Sequence, residues 1–159
     1  MSASVAIRAY RMGDSAALVR VFFDSVHQIA RAAYNEEQLR AWAPAIPDPL
    51  QWETRMLSRE TLVAECGERL VGFIELERCG HIDMLYRSPE ANGLGVAAQL
   101  YEASEARARE LGIQKLTTDA SLIAEPFFRS RGYIAGELET VERNGVRIPR
   151  LRMHKTLGQ

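Results

Sequence analysis

Two glycines stand in the run Asn92-Gly93-Leu94-Gly95-Val96-Ala97, after a short apolar strand that ends at Arg87 and before an amphipathic helix that begins at about Gly95. A glycine loop that opens a helix offers bare backbone N–H groups at the positive end of a dipole, which is a seat for a phosphate group. Gly95 permits close backbone approach or a positive φ. Ala97 leaves room where a larger side chain would collide with a phosphate. A Walker-type loop is excluded, because no Gly-Lys-Ser/Thr is present. A dinucleotide fingerprint fits poorly: the glycines come late, no further glycine follows at the right spacing, and no βαβ unit with an acidic strand end is evident. The bland alternative is a plain turn with a glycine N-cap.

Proton-transfer groups lie just before this loop. In the strand His81–Arg87, strict alternation places His81, Asp83 and Leu85 on one face and Ile82, Met84 and Tyr86 on the other. An acidic residue in an apolar strand costs free energy unless it is paired or functional. Asp83 therefore reads either as a salt-bridged residue or as a base. His81 follows Gly80 and reads as a solvated turn histidine or a base. Glu75, on the preceding strand, reads as a surface residue that can neighbour Asp83 across the ladder.

These groups are positioned by an ordinary globular sequence. The chain has 159 residues, 47% hydrophobic and 26% charged, which fits one domain spanning residues 1–159. A formal net charge of -1 implies no strong pull toward nucleic acid or an acidic membrane. Cys66 and Cys79 have neither metal-type nor redox-type spacing, so reduced thiols in a cytoplasmic protein and no metal are expected. No signal peptide is visible, and no apolar run approaches the roughly 20 residues that span a bilayer.

Periodicity and turn residues order the elements. Val5–Tyr10 reads as a strand, broken at Gly13-Asp14, with Asp14 or Ser15 as the cap of a helix through Ala17–Ala33. Asn35 caps a short helix, Glu36–Ala43; a stiff proline loop, Pro44–Pro49, leads to another, Leu50–Ser58. Strands Thr61–Glu65, Leu70–Glu77 and His81–Arg87 follow. The helix from Gly95 to Leu111 ends at Gly112. Then come a strand from Ile113 to about Ala120, a helix Glu125–Arg131 with Pro126 in its first turn, and strands Tyr133–Glu142 and Arg147–His154 around Asn144-Gly145. The expected fold is α/β: a mixed, predominantly antiparallel central sheet flanked by helices.

This order and these motifs together resemble the GNAT superfamily of N-acetyltransferases over nearly the whole chain. The family's Gln/Arg-x-x-Gly-x-Gly/Ala pattern, which binds the pyrophosphate of acetyl-coenzyme A, falls on Asn92, Gly93, Leu94, Gly95, Val96 and Ala97, with Asn in the first position. The segment Ser121-Leu-Ile-Ala124-Glu-Pro-Phe127-Phe128-Arg-Ser-Arg-Gly132-Tyr133 resembles the family's distal signature, with Ser121 in place of the usual Asn and Phe128 where many members carry Tyr. Ser121 retains a hydroxyl that can hydrogen-bond a coenzyme arm. Phe128 cannot protonate a leaving thiolate; it reads equally as core and as a wall of the thioester pocket. By position, the backbone that pairs with the pantetheine arm and polarises the acetyl carbonyl falls on Leu85, Tyr86 and Arg87. Arg87 can also reach a coenzyme phosphate, or serve as a surface arginine.

The resemblance implies an acetyl-CoA-dependent N-acetyltransferase acting on a small-molecule or peptide amine by direct attack in a ternary complex. A primary amine with a pKa near 10.4 is only about one part in 10³ neutral at pH 7, so a base is the group to seek among Asp83, Glu75 and His81. A thiol pKa of about 8.5 makes thiolate a tolerable leaving group, with water, Tyr34 or Tyr133 as a source of protons. Acceptor walls are expected from the first third, at Tyr34, Trp42 and the proline loop. Tyr34, Gln38 and Trp42 repeat the Tyr-x-x-x-Gln-x-x-x-Trp pattern of the YafP-like branch, and the C-terminal hairpin fits that branch too. Arg147, Arg150 and Arg152 read as solvent-facing. A non-catalytic acyl-CoA sensor, a protein N-terminal or lysine acetyltransferase, and a homodimer through the sheet edge or last hairpin remain open.

Overall fold

The structure, a computed structural model, describes residues 4–158. Seven strands form one sheet: β1 Val5–Ala9, β2 Glu60–Cys66, β3 Arg69–Leu76, β4 His81–Arg87, β5 Lys115–Ser121, β6 Ile134–Arg143 and β7 Val146–Thr156, in the order β1-β2-β3-β4-β5-β7-β6. Every neighbouring pair is antiparallel except β4 and β5. The helices are α1 Ser15–Asp24, α2 Glu36–Trp42, α3 Pro49–Leu57, α4 Val96–Glu110 and α5 Glu125–Ser130. The mixed sheet with helices on its faces matches the expectation. The segment β4–α4–β5 is a parallel crossover, so a βαβ unit is present where none was evident from the residues alone.

Two apolar cores lie on opposite faces of the sheet. Ile74, Leu76 and Ile82 pack with Leu100 of α4 and Phe128 of α5. Phe73 packs on the other face with Leu18 and Phe22 of α1, Leu39 of α2 and Trp52 of α3. β3 supplies both layers because consecutive side chains of a strand point to opposite faces. Among the described residues, no helix is long and apolar enough to cross a membrane.

The expected helix Ala17–Ala33 is shorter and broken. α1 ends at Asp24, a π-helical turn covers Ser25–Ile29, and a 3₁₀ turn covers Ala30–Ala32. The Ser25 N–H is shared between Phe22 O and Val21 O, and His27 Nε2 lies 2.7 Å from the Ala43 carbonyl. A π turn takes in an extra residue. Here it coincides with burial of both Val26 and Ala30 and with a bond from His27 to a distant carbonyl. Asp14 makes no side-chain cap; its carboxylate accepts from Arg8 and from the Arg11 N–H. Asn35 does cap α2, in a reciprocal box with Gln38 at 2.8 and 2.9 Å. Asn144 (φ 51°) and Gly145 (φ 77°) close the last hairpin with the two positive φ values of a type I′ turn.

Candidate active site

The site is built where β4 and β5 separate. They pair only through His81↔Thr117 and Ile82↔Thr118, and Thr118 Oγ1 donates to Ile82 O at 3.0 Å. Beyond this point β5 continues against β7, while β4 stays on β3. The fork leaves one side of Asp83–Arg87 without a strand. Ser88 N donates to Val71 O at 2.7 Å, and Phe73 faces Tyr86. Antiparallel alternation then turns the amides of Met84 and Tyr86 toward β3 and those of Leu85 and Arg87 into the fork. Of Leu85, Tyr86 and Arg87, the amides of Leu85 and Arg87 face the fork and that of Tyr86 faces β3.

The alternation expected along β4 is interrupted. Glu75 faces Met84 and Leu76 faces Ile82, so Asp83 is the extra residue of a β-bulge. The bulge sends Ile82 into the core beneath α4, while Met84 and Tyr86 join the core beneath α1. Ile82 therefore does not share a face with Met84 and Tyr86. Glu75 is opposite Met84 rather than Asp83.

Glu75 is also no surface residue. Its side chain is fully buried, gripped by Arg55 at 2.9 Å to each carboxylate oxygen and by Arg59 at 3.2 Å. Arg59 reaches on to Asp83 at 2.6 Å and Glu77 at 3.7 Å. Burial opposes the Arg59 charge, but the facing carboxylates outweigh it and hold the guanidinium firmly protonated. Glu77, His81 and Asp83 come within 4.8 Å of one another, and the Arg59 charge lies against both carboxylates of this group.

His81 is half-buried rather than solvated, and it lines the cleft. Its Nδ1 is 2.9 Å from Thr117 Oγ1 and its Nε2 is 3.7 Å from an Asp119 carboxylate oxygen. Asp119 was not among the expected site residues. It receives Arg152 at 3.2 Å and Arg150 at 3.7 Å, so Arg150 and Arg152 are not merely solvent-facing. The readable signal for Asp119 was a polar strand, Thr117-Thr118-Asp119, just ahead of the distal motif.

The cleft at the fork has a volume of about 240 Å³. Ala124 and Phe128 line it toward α5; Phe22, Tyr34, Trp42 and Tyr86 line it toward α1 and α2. Phe128 packs on Tyr101 and Tyr133 in the core and also borders the cleft. Trp42 is half-buried, 5.3 Å from the Tyr34 ring and 6.4 Å from the Tyr86 ring. Burial pushes the Tyr86 phenol up, and the Tyr34 phenol likewise. Tyr34 Oη donates to Pro149 O at 2.7 Å and accepts from Leu122 N at 2.8 Å. Tyr133 is buried behind α5 and bonds Tyr101 at 3.1 Å, away from the cleft. Neither hydroxyl stands free as a proton donor. Ser121 lines the cleft and its Oγ accepts from Ala124 N at 3.1 Å, fixing the turn into α5.

The glycine loop lies at the end of the open edge. Gly93 (φ 84°) and Gly95 (φ 70°) adopt left-handed conformations, and α4 starts at Val96, one residue later than expected. Its first intrahelical bond runs from Gln99 N to Gly95 O at 3.1 Å, so the amides of Val96, Ala97 and Ala98 precede it. Asn92 N and Leu94 N are used inside the loop, on Pro89 O and Ala91 O. Among the described residues, Gly93, Gly95, Val96 and Ala97 donate to no protein acceptor. Arg87 braces the loop, with Nη2 3.3 Å from Asn92 Oδ1. Gly72 on β3 is a further requirement that the residues alone did not reveal. A Cβ there would stand 2.6 Å from Val96 Cγ1 and 3.0 Å from Tyr86 O, so its absence lets α4 seat against the sheet.

Comparison with known proteins agrees with this geometry. The acetyltransferase (GNAT) domain family matches residues 30–157. The uncharacterized N-acetyltransferase YafP of Escherichia coli (strain K12) is 34% identical over 143 residues, 89% of each chain. A crystal structure from Rhodopseudomonas palustris, described as a GCN5-related N-acetyltransferase and class-II aminotransferase, is 37% identical, covers 99% of both chains and superposes with a TM-score of 0.90. The PaiA N-acetyltransferase from Thermoplasma acidophilum, solved in complex with coenzyme A, shares the fold at 19% identity, with a TM-score of 0.75 over 96% of this chain and 99% of that one. The chain belongs to the GNAT acetyltransferase family.

Proposed function

We propose that this protein transfers the acetyl group of acetyl-CoA to the primary amine of a small molecule, by direct attack in a ternary complex. The observation that carries the reading is the continuity of unpaired amides. Leu85 and Arg87 in the fork lead to Gly93, Gly95, Val96 and Ala97 at the start of α4. An extended arm suits the first set, and a diphosphate suits the second. Ser121 and Phe128 border the same cleft from the α5 side.

The bound thioester supplies an activated acetyl group; the chain supplies orientation, amide donors and a proton acceptor. A preorganised amide facing a developing oxyanion contributes about 3 kcal/mol, and the Leu85 and Arg87 amides are the available donors. The acceptor enters from the α1 and α2 side, between Tyr34, Trp42 and Tyr86. His81 takes the amine proton. His81 lines the cleft, and its Nε2 approaches Asp119 no closer than 3.7 Å. Asp83 is the less available acceptor, because its carboxylate is already engaged by Arg59 at 2.6 Å. Glu75 is locked between two arginines and positions Arg59. The thiolate leaves without a tyrosine acid. The aromatic walls and the cleft volume of about 240 Å³ favour a small amine over a peptide tail.

Thiol release from acetyl-CoA across an amine panel tests the reading. His81→Gln is expected to lower kcat at neutral pH by ~10²–10⁴-fold, with a smaller loss at high pH where the amine deprotonates unaided. Asp83→Asn should cost less. The reverse ranking would make Asp83 the base. Coenzyme binding with no thiol release for any amine would favour the non-catalytic sensor.

A further inference from the structure

Two arginines line the cleft, Arg143 and Arg150, and among the described residues only Arg150 is matched to carboxylates. Arg59 pairs with Glu75 and Asp83, Arg150 with Glu139 and Asp119, and Arg152 with Asp119. Arg143, at the end of β6, lines the same cleft. Among the described residues its guanidinium has no ion-pair or hydrogen-bond partner, while its backbone pairs with Val146. The neighbouring Asn144 bonds Ala41 O of α2, and Arg143 lines the cleft together with Tyr34, Trp42 and Ile148, which places it on the acceptor side of the fork.

An exposed arginine is ordinarily a solvated one. Arg143 differs in that its backbone is held in place. The hairpin that carries it is tied to the segment around α2 at three points. Tyr34 Oη donates to Pro149 O at 2.7 Å, Gln38 Nε2 to Arg147 O at 3.0 Å, and Asn144 Nδ2 to Ala41 O at 3.4 Å. These bonds fix the strand end above the aromatic wall of Trp42 and Tyr86. The arrangement has three parts: a proton acceptor at His81, an apolar wall, and an unmatched guanidinium at the rim. A guanidinium offers paired N–H donors that fit a planar carboxylate.

We infer that the acceptor is a primary amine that also carries a carboxylate, of the amino-acid class, with the carboxylate seated on Arg143 and the apolar side chain against Trp42 and Tyr86. This rests on the acetyl-transfer reading and adds the substrate class to it.

Matched trios test the inference: leucine, methionine and phenylalanine, each with its carboxamide and its decarboxylated amine, assayed by thiol release from acetyl-CoA with wild type, Arg143→Gln and Arg143→Lys. Coenzyme affinity by calorimetry and the melting temperature serve as folding controls. In wild type, kcat/KM for at least one acid should exceed that of its carboxamide by about tenfold or more. The preference should arise in KM, fall toward unity in Arg143→Gln, and survive in part in Arg143→Lys. Acetylation of the neutral amines with no preference for the acids, or a preference untouched by Arg143→Gln, would overturn the inference and leave acetyl transfer standing. Absence of coenzyme binding by the wild type would overturn both.

Discussion

The Tyr34 hydroxyl donates to the carbonyl oxygen of Pro149, 115 residues away in the chain, at 2.7 Å. The Tyr34 hydroxyl oxygen in turn accepts the Leu122 amide at 2.8 Å. One phenol thus joins the segment before α2, the end of β5 and the last hairpin. Tyr34→Phe should leave an amide and a carbonyl without partners, at a cost of about 1–3 kcal/mol. For a chain of this size that is a melting temperature lower by roughly 2–4 °C per kcal/mol. KM for the acceptor should rise because the aromatic wall loosens. A kcat collapse in a variant that melts normally would instead identify Tyr34 as the acid.

Glu75→Gln is expected to act on stability before chemistry. It leaves Arg55 and Arg59 facing a buried site without its charge, a loss of about 3 kcal/mol. Denaturant unfolding should show the loss, and the remaining activity should keep the wild-type pH profile. A changed profile with normal stability would return Glu75 to the list of bases.

Gly95→Glu should abolish coenzyme binding in calorimetry. It forces a side chain into a residue at φ 70° and sets a negative charge beside the bare amides of α4. Gly72→Ala is the subtler probe, because it touches no ligand. Its Cβ would press on Val96 and displace the first turn of α4, so coenzyme affinity should fall together with about 1–3 kcal/mol of stability. Unchanged affinity in both variants would remove the loop from the coenzyme site.

Glu60 predicts a pH effect on folding. Its hydrogen bond with Arg107 is the main cause that holds its carboxyl below the ordinary value, with Arg78 assisting. A depressed folded pKa means stability that is present above the unfolded pKa and lost as the pH falls through the folded one. Glu60→Gln should therefore melt below wild type at neutral pH, and the two curves should converge in acid. A difference that persists at low pH would mean that the effect is packing rather than charge.

The sequence by itself determined the local and periodic features. Alternation and turn residues marked the strands, and Asn35 announced the cap of α2. Asn144-Gly145 announced the hairpin, and Asn92–Ala97 announced the phosphate-type loop, because each is decided by backbone conformation within a few residues. What only the tertiary structure decided depends on partners far apart in the chain. The bulge at Asp83 and the burial of Glu75 required Arg55 and Arg59 from α3 and the loop that follows it. The π turn came with a bond from His27 to Ala43. The opening between β4 and β5 follows from β5 continuing on β7 instead. The nearness of His81 to Asp119 and the unmatched state of Arg143 are likewise outcomes of strand order. A charge reads the same in sequence whether its partner is present or missing, and only the fold brings the partner near.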